Sequence, residues 1–217
     1  HSSPEAMVRQ QTLLMLLGTP TVALMMASCD HDDLCLKGVQ LGIALLEGGN
    51  REVQEAIHSA LTNPAMEERM RAYDGGHETF VTQMRRRLRT ATREISERKT
   101  FLDVQDEMRS VFADVYVGVS PATLVALERE IEKDFPQHSH VIEVLELLRL
   151  TCEGHFNKMQ DFLHQQTSTL SNVDLVSEVY DFLARLEPEL DHTNIAQMQQ
   201  CVDTLVEFVQ GNASQTV

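Results

Sequence analysis

The sequence predicts an all-α protein, an armadillo-like α-solenoid of about ten helices. Three observations point to it. Apolar residues recur at helical spacing along most of the chain, with no sustained alternation of period two. Ten Gly and six Pro in 217 residues, no Trp, and an abundance of Leu, Glu and Gln suit helices better than sheets. Hydroxyl, amide and glycine residues stand where one apolar stripe stops and the next begins. Helices too narrow to bury their apolar faces alone must stack on their neighbours, as in a solenoid. No sequence repeat of fixed period accompanies the pattern, so a plain helical bundle is the other architecture the spacing allows.

Each element has its own signals. Ser3-Pro4, Thr19-Pro20 and Ser120-Pro121 place a hydroxyl at the N-cap and proline at the first helical position. Asp30 and the Gly48-Gly49 pair bracket the helix HDDLCLKGVQLGIALLE. Asn50 caps REVQEAIHSAL, whose Val53, Ala56, Ile57, Ala60 and Leu61 form one face. A stripe then runs through Val141, Leu145, Leu148 and Cys152. After Asn172 another runs through Val176, Val179, Tyr180, Leu183 and Leu186, and after Asn194 a third through Ile195, Met198, Val202, Leu205 and Val209. The stretch from Thr62 to Ser139 is the most charged and least regular. The expected organisation is an N-terminal helical block over 1–73, a charged connecting segment over 74–138, and a second helical block over 139–217.

Charge and motifs exclude several functions. A formal charge of −15 opposes duplex nucleic-acid binding, which needs a basic face, and leaves room for a cation or a basic partner. The basic run Arg85, Arg86, Arg87, Arg89 and Arg93 lacks interleaved aromatics and has Glu94 and Glu97 beside it, so a solvated or internally paired face is expected. Cys29, Cys35, Cys152 and Cys201 are scattered without a CxxC, as in a protein with reduced, buried thiols. The apolar stretch from Leu13 to Met26 is broken by Gly18, Thr19 and Pro20, well short of the ~20 residues a spanning helix needs. There is no HExxH, no GxSxG and no glycine-rich phosphate loop, so no enzymatic chemistry is expected.

One corner is unusual. In LRLTCEGHFNKMQDFLHQQ, the stripe ending at Cys152 gives way to Glu153, Gly154 and His155 before Phe156, Met159 and Phe162 start the next face. Periodicity accounts for Cys152 as a core residue and Gly154 as the turn. By itself it leaves Glu153 and His155 as exposed or capping residues.

Four stretches carry a family resemblance. GIALLEGGNREVQEAI (Gly42 to Ile57) resembles the LLEGGN..VQ helix–turn–helix of the inositol trisphosphate and ryanodine receptors, the tetrameric intracellular calcium-release channels. LLRLTCEGHFNKMQDFLHQQ (Leu147 to Gln166) is similar to their CE(G/N)H … QNFL segment. DLVSEVYDFLARL and VDTLVEFVQGN resemble the two helices that follow, the latter matching LTEY.QGP with Phe208 in place of tyrosine.

The resemblance implies the armadillo-like region before the transmembrane domain, with 139–217 as a domain like the RIH-associated one. It implies a regulatory or transducing fragment of a ligand-gated channel on the cytosolic face of the endoplasmic or sarcoplasmic reticulum. Partners would be other domains of the channel and neighbouring subunits of a homotetramer, with the membrane met only through the parent channel. It also implies that Glu153 and Glu207 are carboxylate ligands of an activating Ca2+, with His155 and Gln210 close behind. A later domain would complete the site, leaving it weak or incomplete in this fragment. Calcium takes six to eight oxygens at ~2.3–2.6 Å, for which paired glutamates are suited. A free-standing armadillo-like adaptor with no calcium role is the other reading.

Overall fold

In a computed structural model of the chain, the described residues are 3–73, 79–114, 125, 126, 129, 133, 135–166 and 172–212. They are built from helices without a strand: α1 (Pro4–Leu16), α2 (Thr19–Ala27), α3 (Asp32–Leu46), α4 (Arg51–Leu61), α5 (Pro64–Tyr73), α6 (Phe80–Asp114), α7 (Val141–Cys152), α8 (Asn157–His164), α9 (Leu175–Leu186) and α10 (Ile195–Val209). A short 3-10 turn, Glu187–Glu189, follows α9. The architecture is an all-α helical solenoid.

Local chemistry sets many of the boundaries. Ser3 Oγ accepts the Ala6 amide at the start of α1, Asn50 Oδ1 accepts that of Val53 in α4, and Asp174 Oδ1 accepts that of Ser177 in α9. At α2 the expected cap is displaced: Thr19 is already helical, and Gly18 precedes it at φ 83°. Glycine reaches that left-handed region without a Cβ penalty. Ser120-Pro121 lies outside the described residues.

The helix α7 organises the rest. Val141, Val144, Leu145, Leu147, Leu148, Leu150, Thr151 and Cys152 are all buried, so apolar surface covers most of its circumference. Such a helix needs neighbours on several sides. It has α3 and α10 along it and α6 beside them, while α9 packs along α6. Phe80 of α6, Phe156 beside α8, Phe182 of α9 and Phe208 of α10 fill the one hydrophobic cluster that joins these helices.

Three expectations need correction. Within the charged segment, expected to be the least regular part of the chain, Phe80–Asp114 form α6, a continuous 35-residue helix. Its Phe80, Val81, Met84, Leu88, Ala91 and Ile95 enter the core. Its charge is absorbed by pairing: Arg86 with Asp30, Arg87 with Asp32, Arg89 with Glu178 and Arg93 with Glu97. Glu94 does not join this set; its carboxylate accepts the amides of His138 and Ser139 and the Ser139 hydroxyl.

The buried face of α10 is Cys201, Thr204 and Phe208, whereas Ile195, Val202 and Val209 are exposed. On α9, Leu175, Val179, Phe182 and Leu186 are buried and Tyr180 is exposed. On α9 the traced stripe holds apart from Tyr180, with Val176 and Leu183 packed at its edge, whereas on α10 the buried face is turned away from the traced one, with Met198 and Leu205 at its edge. Neighbouring helices pack over residues such as Thr204, whose hydroxyl donates to Leu145 O and Gln200 O.

The contact between α2 and α3 depends on Gly38. A Cβ placed there would lie 2.6 Å from the Met26 carbonyl carbon and would also run into the Ala27 amide nitrogen. Backbone cannot yield as a side-chain end can. Gly38→Ala is therefore expected to lower stability by about 1–3 kcal/mol despite its better helix propensity. Urea unfolding measures this, and an unchanged midpoint would contradict the close approach.

Candidate metal site

The site lies where two helix ends meet. Glu153 caps the C-terminus of α7 with φ −51° and ψ 140°, and Gly154 and His155 follow at positive φ, 72° and 61°. This left-handed pair folds the chain back so that Phe156 N bonds to Cys152 O and α8 begins. At the end of α10, Gln210 is the C-cap with ψ 122°, and Gly211 follows at φ 74°.

The two corners touch directly. Nδ1 of His155 donates to Gln210 O at 3.2 Å, and Asn157 Nδ2 donates to Gly211 O at 3.3 Å. A Cβ on Gly211 would sit 2.9 Å from His155 Nδ1, so only glycine fits against the imidazole. The fully buried Gln160 donates through Nε2 to Glu207 O at 2.7 Å and to Gln210 O at 3.0 Å. The structure thus sets His155 against the Gln210 carbonyl and the helix after Glu153 against the backbone of Glu207, while the Glu153 carboxyl lies beside Gly49. Gln210 takes part through its backbone carbonyl, and its residue is exposed.

The same clamp occurs at two other corners. Gln54 Nε2 donates to Leu150 O and Glu153 O, both at 2.9 Å. Gln11 Nε2 donates to Ala44 O at 3.0 Å and Glu47 O at 2.9 Å. In each case one amide ties the carbonyl of the capping residue to that of the residue three before it. The last carbonyls of a helix have no partner within it, so a buried amide there satisfies two acceptors at once. Sequence reading missed this, although the signal is visible afterwards. Gln54 follows Glu47-Gly48 by the same interval at which Gln160 follows Glu153-Gly154.

The two glutamates, like Gln83 and Arg87, have buried polar atoms left without a hydrogen-bond partner among the described residues. Oε2 of Glu153 and Oε2 of Glu207 are both buried, and neither has a hydrogen-bond partner among the described residues. A buried carboxylate oxygen without a donor is costly and calls for an explanation such as a bound ion. Arg149 lies one turn before Glu153 and makes a two-pronged pair with Glu146, at 2.8 and 2.9 Å. That hydrogen-bonded carboxylate holds the guanidinium above its ordinary pKa against burial, and the charges of Glu146, Glu153 and Glu207 act in the same direction.

Burial pushes the Cys152 thiol up to about 12, with the charge of Glu207 contributing, and burial alone does the same for Cys201. Both remain protonated thiols near neutral pH, poor as nucleophiles or metal ligands. Among the described residues no group of three or more His, Cys, Asp or Glu side chains could hold a metal.

A family model described as RyR and IP3R Homology associated matches residues 136–216, a span that contains α7 to α10 and both glutamates. Over this span the chain is similar to that family. The match supports placing the chain in the inositol trisphosphate/ryanodine receptor superfamily. In this homology-associated domain, the stretches that carried the sequence resemblance supply the clamped corners. Among the described residues no helix is long and apolar enough to cross a membrane.

Two outcomes follow from this geometry. Gln160→Leu leaves Glu207 O without its amide donor and is expected to cost about 1–3 kcal/mol, read by chemical denaturation. In the folded chain at about pH 8, Cys152 and Cys201 should resist iodoacetamide and react only after denaturant is added, as mass spectrometry would show.

Proposed function

We propose that the chain is a cytosolic regulatory and force-transmitting piece of an intracellular calcium-release channel, and that Glu153 and Glu207 supply two carboxylates to its activating calcium site. The observation that carries this reading is the pair of buried, unpartnered carboxylate oxygens within a segment similar to the receptor-homology family. Calcium, a hard cation, favours such oxygens and is bound by several at once. The remaining ligands would come from a later domain of the channel.

Sharing the ion between domains gives calcium a way to act. An ion that binds one arrangement of two domains better than another shifts the population towards it. The clamped corner is suited to this role, because Gln160 joins the helix after Glu153 to the backbone of Glu207. Movement at one glutamate is then carried to the other. His155 supports the junction through Gln210 O. The family is one of channel receptors, and no reaction is assigned to the chain.

One observation favours the adaptor reading. At the corner of α1 and α2, Leu16 and Leu17 are 73% and 81% exposed, and Leu13 and Val22 beside them are also open. Such a surface suits a protein neighbour, whether another channel domain or a separate partner. A reading frame that continues into apolar spanning segments supports the channel; one that stops near Val217 supports the adaptor.

Calcium titration of the chain extended through the later domain tests the site. Glu153→Gln and Glu207→Gln should each weaken calcium binding about tenfold or more, since even groups behind a ligand are worth that much. Isothermal titration calorimetry at low ionic strength provides the measurement. Wild type and Glu153→Gln with equal affinities would sink the assignment.

A further inference from the structure

Glu146, Arg149 and Glu153 stand at intervals of three and four residues, forming the polar stripe of an otherwise buried helix. Across from it on α10, Gln200 and Glu207 share a face, two turns apart. Gln200 Nε2 donates to Glu146 Oε2 at 2.8 Å, which ties one end of the two stripes together. His155 and Gln160 tie the other end to Gln210 O and Glu207 O. Arg149 therefore lies along α7 between Glu146, held by Gln200, and Glu153 one turn further on. Its guanidinium is held back by two hydrogen bonds to Glu146, and its charge is still felt by Glu153 and Glu207.

The formal charges suggest what this arrangement does. Three carboxylates and one guanidinium leave two negative charges, which one divalent cation would balance. A long, flexible cation one turn from Glu153 could itself occupy the place of that ion. The doubly accepting Glu146 restrains it. Glu146 is not a third ligand, since no three such side chains among the described residues are placed to hold a metal.

We propose that Arg149 is a tethered counter-cation that sets the calcium affinity of the Glu153–Glu207 pair, and that Glu146, fixed by Gln200, is the tether that keeps it from closing the site. This inference rests on the calcium reading given above. Arg149 acts as a positioning and affinity-setting residue, making no bond to the ion. Removing it should strengthen binding, a gain that damage to the fold would not produce. Releasing it should weaken binding, because the guanidinium can then pair with the glutamates.

The test is Ca2+ alone titrated by calorimetry into the chain extended through the later domain that supplies the remaining ligands, and into its variants, with the calcium-induced rise in unfolding temperature as a second readout. Arg149→Met should bind calcium roughly 5–10-fold more tightly at low ionic strength, with the gain shrinking as salt is added. Arg149→Gln should do the same and serves if the Met variant fails to fold. Glu146→Gln should bind more weakly than wild type, and Glu146→Gln combined with Arg149→Met should bind at least as tightly as wild type. If neither Arg149 variant gains affinity while Glu153→Gln still loses it, the tether is overturned and the calcium site stands. A double variant as weak as Glu146→Gln would make Glu146 act on the ion directly and would also overturn the tether. If Glu153→Gln matches wild type, or none of the proteins binds calcium, the site itself fails and the inference with it.

Discussion

A glutamine amide bonded to two carbonyls at the end of a neighbouring helix is the interaction on which this structure depends. A helix that stops inside a protein leaves its last carbonyls without partners, and water cannot reach them once the next helix packs across. Gln11, Gln54 and Gln160 each solve this for a different helix, those ending at Glu47, Glu153 and Gln210. All three amides are buried, so each fixes a corner in position as well as satisfying it. Without them the turns at Gly48, Gly154 and Gly211 would have no rigid reference.

The clamps also connect. Gln54 lies on the helix that follows the Glu47 corner and holds the Glu153 corner. Gln160 lies on the helix that follows the Glu153 corner and holds that of Gln210. Each corner thus positions the next, a relay well matched to a solenoid whose units contact only their neighbours. Glu153 and Glu207 sit on consecutive links. Their unpartnered oxygens are among the places where local satisfaction fails, together with atoms of Gln83 and Arg87, and such failures concentrate at functional sites. The receptor-homology match over 136–216 covers the links that carry them.

Much of this was legible in the residues. Caps at Ser3 and Asn50, the helix from Asp32 to Leu46, and the turn after Cys152 follow from local rules that need no knowledge of the partner helix. The misreadings share a cause. The segment holding α6 reads as the least regular part of the chain because of its charges, yet those charges are paired with Asp30, Asp32 and Glu178 from distant parts of the chain. In α10, Val202 and Val209 are as apolar as any core residue, but it is Thr204 that faces α7 and bonds to Leu145 O. Hydropathy ranks side chains, whereas burial depends on which face a neighbour covers.

The sequence by itself determined the helical class, most helix starts and the glycine turns, whereas the pair of glutamates to be watched came from the family resemblance alone. The class, starts and turns depend on spacing, capping and φ preference, all properties of a few adjacent residues. Only the tertiary structure decided that His155 meets the Gln210 carbonyl, that Gln160 ties the helix after Glu153 to the backbone of Glu207 and that Arg149 is paired with a Glu146 held from α10 by Gln200. Those facts are made by contacts between helices far apart in the chain. No local preference encodes them, because they arise when α7 is surrounded and its polar stripe is left with α10 to face.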